Sequence, residues 1–321
     1  MTCFYMGCFY IGCFYSRSCC PKPMDFIMKI STYTLSQSEY EVFEDYCASP
    51  MRLNADDVRR LCPDLAEAIA AVADPSRDTP LIVVKALPSK LTGDLPTPSD
   101  RRNPDGMDMR TEHAMALCAA MMGASIRVGP DEAFPFNTPF HHVIPQREHA
   151  DTPAINNGAG DFPFHQDRIF LDDTPEYHML AGVRLGNDPC PTAYMDTRPI
   201  LEGMPSDVAA ALRREEFADP ISGKRVRILR EGRHGDYLGV DLQPGWIDPL
   251  TAEASNALDY LRQCSLWMAQ SEHTATVLIG PGDLVVHDHR RLMHGRERFK
   301  PDFAQPHTLR WLIRAHAMAQ G

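Results

Sequence analysis

The chain has 321 residues, with 43 acidic against 32 basic side chains and a formal net charge of −11. That length suffices for a substantial core, and 44% hydrophobic with 23% charged residues is the composition of a globular protein, not a disordered or fibrous one. The acidic balance, without a basic block, argues against a nucleic-acid surface, and no apolar run approaches the ~20 residues that a membrane span needs. Taken in chain order, residues 1–27 open with a repeated Cys-Phe-Tyr unit (Cys3-Phe4-Tyr5, Cys8-Phe9-Tyr10, Cys13-Phe14-Tyr15) that lacks the features of a signal peptide. This segment is expected to lie outside the native fold, and residues 28–321 are expected to form one domain. The remaining cysteines, Cys47, Cys62, Cys118, Cys190 and Cys264, form no CxxC pair and fit reduced thiols in a cytoplasmic protein.

Apolar residues three and four apart predict helices over 36–47 and 55–73, with Leu61, Leu65, Ile69 and Val72 on one face and Asn54 or Asp56 as the cap of the second. Leu81-Ile82-Val83-Val84 predicts a strand, 88–108 a surface loop, and 111–124 a buried helix. Beyond residue 139 the pattern changes to short strands over 140–144, 177–185, 226–229, 237–242, 274–279, 284–287 and 309–315, interrupted by one long helix over 251–271. No βαβ alternation, GxGxxG or P-loop is present. Helices ahead of many short strands point to an α+β fold built on a β-sandwich or jelly roll.

Chemistry is sought among thirteen histidines. His165-Gln166-Asp167 places two ligand-type side chains on one face if the segment is a strand. Further on, GDLVVHDHRRLMHGR runs from a turn through a strand into a basic loop ending in His294-Gly295-Arg296. Two histidines and one carboxylate are the facial triad of non-haem iron(II) oxygenases, whereas a structural zinc site closes its shell with four ligands. His287 and His289 have ligand spacing too, and support a rival zinc-dependent hydrolase. A non-catalytic jelly-roll binding module is the third alternative. In Arg310-Trp311-Leu312-Ile313-Arg314, a strand repeat of two puts both arginines on one face, where burial requires anions to meet them.

The segment GDLVVHDHRRLMHGRERFKP followed by RWLIR resembles the clavaminate-synthase-like branch of the iron(II)- and 2-oxoglutarate-dependent oxygenases. That branch includes arginine and asparagine hydroxylases of peptide-antibiotic pathways. The resemblance extends back to FHQD at 164–167 and covers about residues 140 to 317. It implies a double-stranded β-helix (jelly roll) with helices outside and a free amino acid as substrate, hydroxylated at an unactivated C–H with O2 and 2-oxoglutarate. His165, Asp167 and His294 would ligate Fe(2+), Arg310 and Thr192 would hold 2-oxoglutarate, and Arg314 would meet the substrate carboxylate. Asp241 falls near an acidic position used for a guanidinium, which points to a basic side chain; the competing expectation for Asp241 is a solvated turn residue. The branch usually carries His-x-Glu, so Asp167 is one methylene short, and His289 stands where an Asn is usual. Oligomeric state is left open.

Overall fold

The computed structural model describes residues 28–48, 54–74, 76–90, 97–98, 108–127, 139–152, 157–171, 174–269 and 272–320. The expectation for residues 1–27 lies outside them, as does most of 88–108.

In chain order, β1 (Ser31–Thr34) leads into α1 (Gln37–Ala48), α2 (Ala55–Leu61) and α3 (Pro63–Ala73), then β2 (Leu81–Lys85). The single helix expected over 55–73 is two. Pro63 cannot donate its backbone nitrogen and starts α3 at its N-terminal turn, after Cys62 has left helical geometry (φ −127°, ψ 61°). Asn54 does cap α2, accepting from the Asp57 amide at 2.9 Å while Asp57 reaches back to it. Next come α4 (Arg110–Met121), β3 (Ala124–Ile126), β4 (His141–Val143), β5 (Phe162–His165), β6 (Tyr177–Arg184) and β7 (Thr192–Asp196). Helix α4 is buried as expected, but it stops before Gly123 (φ 71°), and Ala124 already belongs to β3.

Two short helices, α5 (Arg198–Glu202) and α6 (Ser206–Leu212), precede the short strands β8 (Phe217–Ala218), β9 (Arg225–Val226), β10 (Leu229–Gly232), β11 (Gly235–Leu238) and β12 (Asp248–Pro249). Helix α7 (Ala252–Met268) is capped by the Thr251 hydroxyl, which accepts from the Ala254 amide at 3.1 Å. It leads to β13 (Thr274–Val277), β14 (Leu284–Asp288), β15 (Leu292–Arg296) and β16 (Trp311–Ala319). None of these helices is long and apolar enough to cross a membrane.

The strands form two main sheets. One runs β1-β2-β14-β6-β16-β3, with β4 also paired to β16; the other runs β13-β7-β15-β5. Only β1 and β2 are parallel among the paired strands of these sheets. The larger sheet is covered on both faces, which explains why its strands read as near-continuous apolar runs. Ile82, Val84, Met179, Val286, Trp311 and Ile313 pack outward against α1 to α4. Their neighbours Leu81, Val83, Leu180, Val285 and Leu312 point inward to meet Tyr194, Val277 and Leu292 of the smaller sheet. On the far face of the smaller sheet, Ala193, Met195 and Met293 pack against α6 and α7.

The described ends of 88–108 are not the surface loop expected of them. Lys90 is buried and pairs with Glu112 of α4 at 2.7 Å, and the Thr97 side chain donates to the Pro306 carbonyl at 2.7 Å. Burying a charge is tolerable when an opposite charge meets it. The same Glu112 lies 3.3 Å from His142, whose other nitrogen accepts from the Trp311 indole at 2.9 Å.

Candidate metal centre

The space between the two sheets is where the chemistry-bearing side chains converge. His165 ends β5, and its cross-strand partner on β15 is His294, so pairing alone brings the two rings to 4.3 Å between centroids. His294 therefore sits within a strand, not in the irregular loop expected there. Asp167 lies beyond the end of β5, so its approach to His165 does not come from strand alternation. The turn is fixed by Gln166, whose amide nitrogen donates to the His289 carbonyl at 2.7 Å and whose amide oxygen accepts from Val240 N–H at 3.2 Å. Arg168 then reverses the chain in the left-handed region (φ 58°).

These contacts bring Asp167 Oδ1 to 3.5 Å from His165 Nε2, and the ligand atoms of His165, Asp167 and His294 all lie within 4.8 Å of one another. His165 Nδ1 faces the Pro163 carbonyl at 2.8 Å. A carbonyl only accepts, so Nδ1 carries a proton and Nε2 is aimed at Asp167. Burial alone would lower the His165 pKa, but Asp167 and then Asp241 hold it above the usual value, so an incoming ion takes the place of the Nε2 proton. Burial pushes the His294 pKa well below the usual value, helped by the neighbouring His165 and His178, so its ring is neutral and competent to ligate. Asp167 moves the other way: burial alone would raise it, but Arg314 and the surrounding histidines hold it well below the usual carboxylate range.

Sequence reasoning missed two members of this centre. His178 of β6 and His316 of β16 are direct cross-strand partners, with His287 of β14 paired to His178 on its other side. The three form a row across adjacent strands on the inward face. His316 and His178 bring Nε2 to 3.1 and 3.4 Å from Asp167 Oδ2. The signal was there: in each of these apolar strands one histidine falls at an inward position.

Arg314 and Arg310 share the inward face, as expected, although the pairing of β16 with β6 shifts register between Trp311 and Leu312. Arg314 Nη1 donates to Asp167 Oδ2 at 2.9 Å, so its anion in this structure is Asp167. Arg310 differs. It is buried, its guanidinium stands 5.8 Å from the Phe299 ring, and no carboxylate among the described residues lies within ion-pair distance. Arg296, also buried, donates to the Gly158 and Gly160 carbonyls at 2.6 and 2.5 Å and stacks on the same Phe299 at 5.2 Å. Burial, then the adjacent Arg310, lowers the Arg296 pKa to about 10. A buried guanidinium such as Arg310, set beside a second one, is costly until an anion arrives. Thr192, opening β7, lines the same cavity as Arg310, Arg314, His165 and His294.

Asp241 is not a solvated turn residue. It forms a lone β-bridge with His165 and is buried, accepting from the Gln243 backbone and side-chain nitrogens at 3.0 and 3.2 Å. Burial pushes its pKa up to about 6. A larger cleft of about 180 Å3 lies elsewhere, lined by Arg198, Arg290 and Arg291. These three arginines are already matched, to Asp78 at 2.7 Å, Glu176 at 2.8 Å and Asp196 at 2.7 Å.

No protein-family model matches the chain. In sequence it is 31% identical over 176 residues to the L-asparagine oxygenase of Streptomyces coelicolor, a match covering 51% of this chain and 49% of that protein. The chain thus spans about half the length of the relative it matches. The fold is shared more widely. Asparagine oxygenase, solved with Fe(II), 2S,3S-3-hydroxyasparagine and succinate, superposes with a TM-score of 0.71 at 23% identity, covering 89% of this chain and 92% of that one. The non-heme iron oxygenase OrfP, solved with Fe and alpha-ketoglutaric acid, gives 0.69 at 18% identity, covering 90% and 94%. OrfP with Fe, succinate and (3S)-hydroxy-L-Arg gives 0.70 at 17% identity over the same shares. The chain therefore has the fold of these oxygenases.

Proposed function

We propose that this chain is an iron(II)- and 2-oxoglutarate-dependent oxygenase that hydroxylates an unactivated C–H bond of a free amino acid. The observation that carries the proposal is Arg310, a buried guanidinium without a carboxylate partner among the described residues, facing the same cavity as His165 and His294, two members of the ligand set completed by Asp167. A hydrolase built on His287 and His289 would give Arg310 nothing to do. The shared fold supports the same reading, and the two sheet orders, with the chain passing repeatedly between sheets, suit a double-stranded β-helix.

The residues fit the ion. Two imidazoles, once the ion has displaced the His165 proton, and one ionised carboxylate on one side leave coordination positions open on the other, the arrangement preferred by non-haem iron(II) enzymes. Bound there with 2-oxoglutarate and O2, iron would supply the oxidising chemistry, with succinate and CO2 as co-products. The chain's own work is placement. Arg310 offers a bidentate fork to the distal carboxylate of 2-oxoglutarate, with Thr192 beside it. Phe299 stacks against Arg310 and Arg296 and fixes their planes. His316 and His178 orient Asp167 through its second oxygen, and Arg314 keeps that carboxylate ionised while facing the cavity where a substrate carboxylate would enter. The packed sheets exclude water.

For the substrate we infer a side chain ending in N–H donors, with Asp241 as their acceptor. Relatives named for asparagine and solved with hydroxylated arginine support this class. The test is anaerobic titration of the iron(II)-loaded protein with 2-oxoglutarate, followed by succinate measurement across the twenty amino acids, ornithine and citrulline. A visible charge-transfer band is expected, with turnover of an amide- or guanidinium-bearing amino acid. No band would refute the oxygenase; turnover of apolar amino acids alone would refute the substrate class.

A further inference from the structure

Beside the set proposed for iron lies a second convergence that the oxygenase reading leaves without a task. His287, His289 and His294 offer ligand atoms that all fall within 4.8 Å of one another. His287 and His289 are fully buried and His294 nearly so. Among the described residues, His287 has no hydrogen-bond partner on either ring nitrogen, and His289 Nδ1 and His294 Nδ1 have none either. His289 Nε2 faces the Asp167 carbonyl at 3.0 Å. That carbonyl can only accept, so the His289 proton is held on Nε2 and its lone pair lies on Nδ1, the arrangement by which a backbone carbonyl orients a metal-bound histidine.

Buried polar atoms are nearly always satisfied, and each left alone costs about 1–3 kcal/mol. Several imidazole nitrogens facing one small volume cannot satisfy one another when each turns a lone pair inward. A cation satisfies them together. The two ligand sets also differ in character. The His165 set contains a hard carboxylate and suits iron(II). The His287 set is all nitrogen, and three histidines with one open position is a tetrahedral preference of zinc, with cobalt(II) as its usual stand-in.

We propose that His287, His289 and His294 form a second seat, for a divalent ion of the zinc and cobalt class, and that occupation of one seat excludes the other. His294 belongs to both sets, and serving two ions at once would require its ring to lose both protons. An ion in the all-nitrogen seat therefore withdraws His294 from the iron seat without displacing iron by direct competition for Asp167.

Metal-free protein, prepared anaerobically, is titrated with zinc by equilibrium dialysis and with cobalt(II) by visible absorption. The comparison set is His287→Gln, His289→Gln and Asp167→Ala, each checked for folding by circular dichroism. Zinc affinity is expected to fall at least tenfold in both glutamine variants and to survive in Asp167→Ala. The 2-oxoglutarate charge-transfer band of the iron(II) protein should show the opposite dependence: kept in His287→Gln, lost in Asp167→Ala. Excess zinc should bleach that band in the unsubstituted protein and bleach it far less in His287→Gln. Zinc binding that follows Asp167 and ignores both glutamine variants would overturn the proposal, as would a group that binds no zinc and holds water only. Absence of the band in the unsubstituted protein would instead count against the oxygenase reading and leave the zinc arm readable.

Discussion

Arg310 and Asp241 show how one buried charge can be an asset and another a burden. Arg310 has no carboxylate partner among the described residues, so its desolvation is repaid when an anion binds. Arg310→Lys keeps the charge and loses the planar fork; the 2-oxoglutarate requirement is expected to rise at least tenfold, with a much smaller change for the amino acid, in steady-state kinetics varying each in turn. Equal changes for both would remove Arg310 from the cosubstrate. Asp241 is an acid whose folded pKa of about 6 stands above its ordinary value, so the folded state holds the proton more tightly than the unfolded chain. The stability this brings is present below the ordinary Asp value and is lost as pH rises through 6, a difference of about 3 kcal/mol at 1.36 kcal/mol per unit. Asp241→Asn should therefore raise the melting temperature of the metal-free protein at pH 7.5, with the gain shrinking toward pH 4. With the Gln243 side-chain amide turned over, the new Asn amide can donate to Gln243 Oε1, which has no partner among the described residues. A lower melting temperature at pH 7.5 would contradict this account.

At the level of elements, the pairing of β5 with β15 makes the centre, and Gly295 permits it. A Cβ built there would lie 2.7 Å from the Phe162 carbonyl oxygen and 3.1 to 3.2 Å from the backbone of Pro163 and Phe164. All three are β5 backbone, which can relieve the clash only by retreating from β15, taking His165 away from His294. Gly295→Ala is expected to cost about 1–3 kcal/mol in urea unfolding and to lower iron retained through gel filtration. Neutrality in both measurements would show that the close approach is unimportant. The same strands explain what was and was not legible in the sequence. Strands rich in β-branched and apolar residues, such as Leu81–Lys85 and Leu284–Asp288, announced themselves. Phe162–His165, Thr192–Asp196 and Leu292–Arg296 did not, because His, Asp, Arg and Pro occupy positions that a core strand normally fills with apolar side chains. Those substitutions are the site itself. His165, Asp167, His294, Thr192 and Arg310 were singled out by motif and resemblance, and the structure brings them to one cavity or its edge. His178 and His316 escaped because single histidines inside apolar runs carry no spacing signal, only a strand parity that needs the register to interpret.

For the whole molecule, the two sheets enclose the centre between an outer shell of α1 to α4 on one side and α6 and α7 on the other. The buried line from Lys90 through Glu112 and His142 to Trp311 ties α4 to β16, the strand that carries Arg314 and His316. Charge and hydrogen bonding thus replace apolar packing at one point in that interface, where loss of a single partner would strand a buried charge.

The register that sets His165 opposite His294 joins segments far apart in the chain, with β6, β7, α7 and β14 between them. Contacts of that kind form after long loops have closed, which is why non-local sheet proteins fold slowly. The ion can therefore find its ligand set only once the chain has nearly finished folding, and it acts as a clasp on the finished structure instead of a nucleus for it. Iron(II) with 2-oxoglutarate, held anaerobic, should leave the refolding rate in stopped-flow denaturant jumps unchanged and slow unfolding by the full factor of the ligand's stabilisation. Accelerated refolding would mean that the two histidines meet early. The practical corollary is kinetic: chains emerging during iron scarcity would fold as fast as any others and differ afterwards only in how long they last.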